Sequence, residues 1–339
     1  MSISQPYLLF LGDVTDPLSA KTARGILKWR ANACVGQLRL TDDTVSLGIQ
    51  DLTLAEAYRK GAKTLVIGTA NAGGVIPDSW KATLITAAEM GFELASGMHQ
   101  RLADIPQIKA LKLADTTKLH DVRHYDHPLQ VGTGINRKGK RLLTVGTDCS
   151  VGKMFAALAI EAAMQNKGID ARFKATGQTG ILIEGSGISV DAVVSDFISG
   201  AVEAISPDFS EHEWDVIEGQ GSLFNPSFAG VSLGLLHGAQ PDALVLCHEI
   251  GRQHVRHLPH APLPSIEETL AANLLAAKLT NPNATFVGIC LNTSQLGEEQ
   301  ARELCADWSE QYGLPVTDPV RFSVDAIVEC LGKGVKNDC

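Results

Sequence analysis

The sequence predicts an α/β protein made of two parallel-sheet domains in one chain. Three observations carry this. Short apolar runs bounded by glycine alternate with helical patterns along the whole length, as in parallel sheets covered by helices. At 339 residues the chain exceeds one ordinary domain. Midway along it, Leu142-Leu-Thr-Val-Gly146 runs into a loop ending in Gly152-Lys153, followed by the alanine-rich stretch Phe155–Met164. Apolar strand, Gly-Lys loop and helix together make a phosphate cradle. Loop N–H groups and the helix N-terminus face an anion, and the lysine adds a point charge.

Composition bounds the rest. Hydrophobic residues make up 45% of the chain, enough for a sizeable core. The net charge is −9, and the densest basic run is only Asn136–Arg141. Nucleic acid is therefore not expected as the main partner. Seven cysteines lie at 34, 149, 247, 290, 305, 330 and 339, none in a C-x-x-C or at zinc-finger spacing from histidine. Reduced thiols in a cytoplasmic protein are the expectation. No charged segment precedes an apolar block at the start, so no signal peptide is expected. No apolar run approaches the roughly 20 residues of a membrane span.

The first domain is expected over residues 1–138. Tyr7–Gly12 is an uninterrupted apolar run, which suits a strand covered on both faces. Asp13–Pro17 turns the chain into a helix over Ala20–Arg30. Further strands are expected at Cys34–Leu38, Thr64–Gly68 and Phe92–Ser96, with helices over Leu52–Lys60 and Trp80–Met90. Ligands on such sheets sit at the carboxyl ends of the strands, here the loops Gly68–Gly74 and Ser96–His99. No G-x-G-x-x-G follows the first strand, so the usual dinucleotide fingerprint is absent. Asp121–Pro128 reads as polar loop. His120, His124 and His127 have metal-like spacing, but no helix would align them, and a structural role is expected. Pro128–Lys140, with three glycines, reads as the linker.

The second domain is expected over residues 139–339. After the phosphate loop and its helix, strands are expected at Ala171–Ala175, Trp214–Glu218, Ala243–His248 and Phe286–Asn292, with a last short one at Pro315–Asp318. Thr176-Gly-Gln-Thr-Gly180 is expected as a loop able to wrap a phosphate or a small polar substrate. Val190–Ile205 carries apolar residues at helical spacing. Ser265-Ile-Glu-Glu268 has capping-box form ahead of a helix through Lys278, and Glu298–Tyr312 reads as an amphipathic helix. Glu218 closes a buried strand ahead of Gly-Gln-Gly-Ser222. A carboxylate there is costly unless used or paired, so a site role is expected. Asn292 ends its strand where it could read a base edge.

The phosphate loop departs from G-x-x-x-x-G-K-[S/T] in two ways. Thr147 stands where the first glycine belongs, with Gly146 one residue earlier. Met154 stands where a hydroxyl normally ligates Mg²⁺. Anion binding is therefore expected ahead of ATP cleavage, and participation of Mg²⁺ stays open. Gly146-Thr-Asp-Cys-Ser-Val-Gly152-Lys153 resembles the loop of dethiobiotin synthetase and its ATP-using relatives. Ile217-Glu218-Gly-Gln-Gly and Gly288–Asn292 resemble later motifs of that superfamily. A fuller resemblance, over nearly the whole chain, is to a two-domain family whose loop reads Gly-Lys-Met. It rests on Ala20-Lys-Thr-Ala, Gly68-Thr-Ala-Asn-Ala-Gly-Gly, Ser96-Gly-Met-His, Asp121-Val-Arg, Gly146–Met154 and Glu218-Gly-Gln-Gly-Ser222. That family includes the DgcN-type D-glutamate N-acetyltransferases. The resemblance implies a Rossmann-like N-terminal domain and a P-loop NTPase-like C-terminal domain. It also implies acetyl-CoA as cosubstrate and acetyl transfer to the amine of an amino acid, D-glutamate first.

On that reading Gly146, Thr147, Asp148, Cys149, Ser150, Val151, Gly152, Lys153 and Met154 hold the coenzyme's diphosphate. The acceptor amine must lose a proton before it attacks the thioester. Glu218 is the first candidate base, with His248 and Asp196 behind it. Thr176, Gln178, Thr179 and Gln220 are candidates for substrate contacts, the two amides also for the oxyanion. A dicarboxylate needs cations, for which Lys174, Arg123, Arg252 and Arg321 are candidates. The expected partners are a small amino-acid substrate and further copies of the chain in a homo-oligomer, with neither nucleic acid nor membrane. Two alternatives stay open: an ATP- and Mg²⁺-dependent ligase or carboxylase, and a nucleotide-binding protein without turnover.

Overall fold

Two all-parallel sheets carry the fold, one five-stranded and one six-stranded. The computed structural model describes residues 2–17, 19–69 and 72–332. Ala70 and Asn71 of the loop expected after the third strand, and Cys339, lie outside these residues.

In the first unit β1 (Tyr7–Gly12) is buried at every residue, so its unbroken apolar run needs no polar face. Then follow α1 (Lys21–Trp29), β2 (Cys34–Arg39), α2 (Leu54–Arg59), β3 (Thr64–Ile67), α3 (Asp78–Glu89), β4 (Glu93–Ser96), α4 (Pro106–Leu113) and β5 (Leu119–Asp121). The strand order is β2-β1-β3-β4-β5, so the winding reverses between β1 and β3. Gly12 leaves β1 with φ +58, and a Cβ there would lie 2.2 Å from Trp80 Cε2. Only glycine admits both that backbone and that approach. Trp80 packs edge-on to Phe10, ring centroids 5.5 Å apart, and donates its indole N–H to Asp13 Oδ1 at 2.8 Å. That bond, with one from the Ser79 hydroxyl, holds the Asp13 carboxyl below its ordinary pKa. Sequence reading leaves out α4 and β5. β5 spans only three residues, too few to show a period, and Asp121 closes it instead of opening a loop.

The second unit opens with β6 (Lys140–Gly146), α5 (Lys153–Asn166) and β7 (Ala171–Lys174). The next helix, α6 (Gln178–Glu184), stands where a loop is expected. It belongs to the first unit, which takes the chain up to His127 together with Gly177–Ala192. The second unit holds Pro128–Thr176 and the chain from Val193 onward. α6 packs on α1: Ile183 and Thr179 face Gly25, and Arg30 pairs with Glu184 at 2.9 Å. Chain order alone places this segment in the domain over 139–339; the packing of α6 on α1 moves it to the first unit.

Val190–Ile205, whose spacing suggests one helix, is two 3-10 turns and then α7 (Ile198–Ile205). After it come β8 (Trp214–Ile217), α8 (Ala229–Ala239), β9 (Ala243–Glu249), α9 (Ile266–Lys278), β10 (Thr285–Asn292), α10 (Glu298–Tyr312), β11 (Val316–Thr317) and α11 (Asp325–Gly332). α8 is hidden in the sequence because glycine weakens its helix pattern. The packing explains the glycines: a Cβ on Gly238 would lie 2.4 Å from the Ser199 carbonyl oxygen of α7. The strand order is β11-β10-β9-β6-β8-β7. The winding therefore reverses at β6, and the loop after β6 opens at the crevice where such sheets bind ligands.

At the other end of β6 lies Arg141, 2% exposed. It donates to Ser206 Oγ at 2.8 Å and to the Lys138 and Pro207 carbonyls at 3.0 and 2.9 Å. The Ser206 hydroxyl in turn donates to Asp215 Oδ2 at 2.7 Å. Arg141→Met leaves these buried acceptors without their donor. We expect a loss of about 3–5 kcal/mol, read as a lowered urea midpoint; an unchanged midpoint would show the network to be dispensable.

Candidate functional site

The loop Thr147–Gly152 turns sharply because Ser150 and Gly152 take left-handed backbone, φ 57 and 107. α5 then begins at Lys153, which is 6% exposed. Glycine makes the room for this lysine. Its Nζ lies 3.2 Å from where a Cβ would stand on Gly146, and its Cδ 3.0 Å from that of Gly219. The ammonium makes one hydrogen bond among the described residues, to the Asp148 carbonyl at 2.7 Å. Two N–H bonds remain for an anion. Burial pushes the Lys153 pKa down.

Asp148 is wholly buried and already saturated. It accepts from the Asn225 amide at 2.9 Å, the Arg252 guanidinium at 3.0 Å and the Arg256 main-chain N–H at 2.7 Å. Burial acts to raise its pKa. The Arg256 N–H, the Asn225 amide and the Arg252 charge outweigh burial, and the carboxyl sits below its ordinary value. The side chain therefore ties the loop to the segments after β8 and β9. Ser222 adds a second tie, donating to the Thr147 carbonyl at 3.0 Å. Cys149 is half-buried; burial pushes its thiol pKa up.

Glu218 follows β8 and is 5% exposed. Its Oε2 accepts the Thr176 N–H at 3.1 Å, and its carbonyl accepts the Thr176 hydroxyl at 2.5 Å. Gln220 donates to that same hydroxyl at 3.3 Å. Thr144 takes the Gly219 N–H at 3.0 Å, holding the turn after Glu218 against β6. His248, at the end of β9, has Nδ1 3.0 Å from Thr147 Oγ1, and its ring stacks on Trp308 with centroids 5.7 Å apart. Burial, then the Arg252 charge, push its pKa down to about 4.

The expected cations are engaged elsewhere. Arg252 bonds Asp148, the Cys149 carbonyl at 2.7 Å, and Glu249. Lys174 pairs with Asp215 at 3.6 Å. Arg123 donates to the Gly97 carbonyl and to Asp191, at 2.9 and 3.2 Å, within the first unit. Gln178 and Thr179 also lie in that unit, Gln178 against Gly97 and Thr179 with its hydroxyl 3.4 Å from that of Thr22. Asp196 is exposed on a 3-10 turn. Sequence reasoning missed Asn225 and Arg256, whose only trace is an amide and a cation in polar loops.

Beside the phosphate loop is a cavity of about 320 Å³, lined among others by Val151, Phe155, Asn292, Pro319, Val320 and Arg321. Arg321 donates to the Leu296 carbonyl at 2.9 Å.

A buried lysine in a strand–loop–helix turn, at the winding reversal of a six-stranded parallel sheet, defines a P-loop unit; the other unit is a five-stranded α/β sheet. Residues 130–328 match the family described as "Domain of unknown function (DUF1611_C) P-loop domain", and residues 35–125 match "(DUF1611_N) Rossmann-like domain". The chain belongs to this DUF1611 family. It is 52% identical over 328 residues to a D-glutamate N-acetyltransferase of Pseudoalteromonas sp., covering 97% of this chain and 99% of the relative. It is 50% identical over 329 residues to a D-glutamate N-acetyltransferase of Tritonibacter scottomollicae, with the same coverage. The crystal structure of a DUF1611 family protein from Anabaena variabilis matches with a TM-score of 0.83 at 34% identity, covering 97% of this chain and 99% of that one.

The His248 environment has a consequence for stability. Its pKa is 6.5 ordinarily and about 4 in the fold. Between these values the unfolded chain binds the extra proton, so stability falls as pH drops through the window. The gap corresponds to about 3 kcal/mol. His248→Gln removes this contribution, and urea unfolding of both proteins at pH 4.5 and 7 measures it. Equal pH dependence in the two would refute the buried neutral ring.

Proposed function

We propose that this chain transfers the acetyl group of acetyl-CoA to the amine of D-glutamate, releasing CoA as a thiol. The observation that carries the reading is identity of 52% and 50%, over 97% of the chain, to two proteins named for D-glutamate N-acetylation. The second unit's geometry supports it. Loop N–H groups and the two uncommitted N–H bonds of Lys153 suit a diphosphate. The cavity beside the loop suits an adenine base, with Asn292 to read its edge and Arg321 to meet the phosphate on its ribose. Met154 offers no hydroxyl, and the reaction needs no γ-phosphoryl transfer.

In the chemical step the acceptor's ammonium gives a proton to the Glu218 carboxylate. The amine nitrogen attacks the thioester carbonyl carbon and the C–S bond breaks; the second proton lost by the nitrogen passes to the leaving thiolate, and the proton held by Glu218 is released to solvent. Glu218 is preferred as base because it stands at the crevice, oriented by the Thr176 N–H, and its charge is felt at Lys153. His248 is held neutral against Thr147, which suits a part in shaping the loop. Asp196, exposed on its turn, has no part in this step. A cytoplasmic site of action belongs to the same proposal, supported by the free thiols of Cys34, Cys149, Cys247, Cys290 and Cys305 among the described residues. So does a homo-oligomer, for which the exposed Leu275 and Leu279 are candidate contacts. Among the described residues no helix is long and apolar enough to cross a membrane.

Mixing the protein with acetyl-CoA and a panel of D- and L-amino acids, and following free thiol, tests the reading. Thiol release is expected with D-glutamate; magnesium-dependent ADP formation from ATP without thiol release would overturn it. Lys153→Met is expected to raise KM for acetyl-CoA about 10- to 100-fold. Glu218→Gln is expected to lower kcat by a factor of about 10²–10⁴. An unchanged kcat and pH profile would remove Glu218 as the base.

A further inference from the structure

Arg252, Lys174 and Arg123 bind protein groups, and Arg321 stands at the cavity end of the loop. One further cation stands at the opposite end. The segment after β9, Gly251–Leu263, folds back on itself. Val255 and Leu263 donate main-chain N–H bonds to Ala261 and Gln253, at 2.9 and 3.0 Å. Val255 is buried, 2% exposed. The segment is fixed to the phosphate loop by Asp148, which takes the Arg252 guanidinium and the Arg256 N–H. This places the exposed Arg256 side chain beside Asp148 and Cys149, and its charge is felt at the Cys149 thiol. Among the described residues its guanidinium has no hydrogen-bond or ion-pair partner.

We propose that Arg256 binds the side-chain carboxylate of the acceptor and so sets the preference for a dicarboxylic amino acid. The inference rests on the acetyl-transfer reading above. The order of features along the loop supports it. The cavity touches Val151, Gly152 and Phe155, so an adenosine there leaves the acyl end of the coenzyme to run toward the early loop residues, where the Arg256 main chain is bound to Asp148. A guanidinium can take a carboxylate through two parallel N–H bonds, which a neutral amide cannot match. The Asp148 tie uses the Arg256 main chain, so replacing the side chain leaves the segment anchored.

The test is Arg256→Gln in the full chain, with KM determined separately for each substrate. KM for D-glutamate is expected to rise about 10- to 100-fold while KM for acetyl-CoA stays within about twofold. The preference for D-glutamate over D-glutamine should shrink by a similar factor, and Arg256→Lys should restore part of it. A rise in KM for acetyl-CoA alone, absent with acetyl-dephospho-CoA, would overturn the inference and assign Arg256 to the donor's ribose phosphate. No change in either KM would overturn it outright. Titration calorimetry with glutarate, a dicarboxylate without the amine, separates the anion site from the acetyl-transfer reaction. Wild type failing to acetylate D-glutamate yet binding glutarate more tightly than Arg256→Gln would sink the proposed reaction and leave the anion site. Equal or absent glutarate binding in both proteins would sink the site.

Discussion

One buried carboxylate holds the carboxyl edge of the second sheet together. Asp148 brings a negative charge out of water, which by itself costs several kcal/mol. The protein offsets that cost with a guanidinium, an amide and a main-chain N–H drawn from two other segments. Three loops that leave neighbouring strands β6, β8 and β9 are thereby fixed to one another. Removing any donor would leave charge buried and unmatched, so the geometry of the loop is the geometry of this cluster.

Lys153 is the converse case. It too is buried, yet its ammonium holds only one hydrogen bond among the described residues. A buried cation with unused donors is poorly compensated in the free protein, and burial accordingly lowers its pKa. An anion laid over Gly146 and Gly219 would supply what is missing. The contrast between a saturated aspartate and an unsaturated lysine, separated by a few residues, divides the loop into a part that holds shape and a part left for a ligand. Arg256 extends that unsaturated part to the loop's other end.

The wider architecture serves the same edge. The glycines of α8 let it lie close on α7, and Arg141 gathers the carbonyls at the far end of β6. α8 packs on β6 and Arg141 lies within it, the strand that runs between β8 and β9 where the winding reverses. In the first unit Gly12 and Trp80 do comparable work at β1.

Much of this was legible in the residue order. Apolar runs such as Tyr7–Gly12 and Leu142–Gly146 identify buried parallel strands, and Gly152-Lys153 between strand and helix identifies the phosphate loop, because strand burial and loop chemistry are local properties. What the order of residues could not determine is which charges meet. Arg252 reads as available and is bound to Asp148; Lys174 reads as available and is bound to Asp215; Arg256 carries no signal in the sequence, and its exposed side chain has no hydrogen-bond or ion-pair partner among the described residues. Gln178 and Thr179 follow Thr176 by a few residues yet lie in the other unit, since α6 buries its apolar face on α1. Ion pairing and helix docking depend on distances between segments far apart in the chain, and only the folded backbone sets those distances.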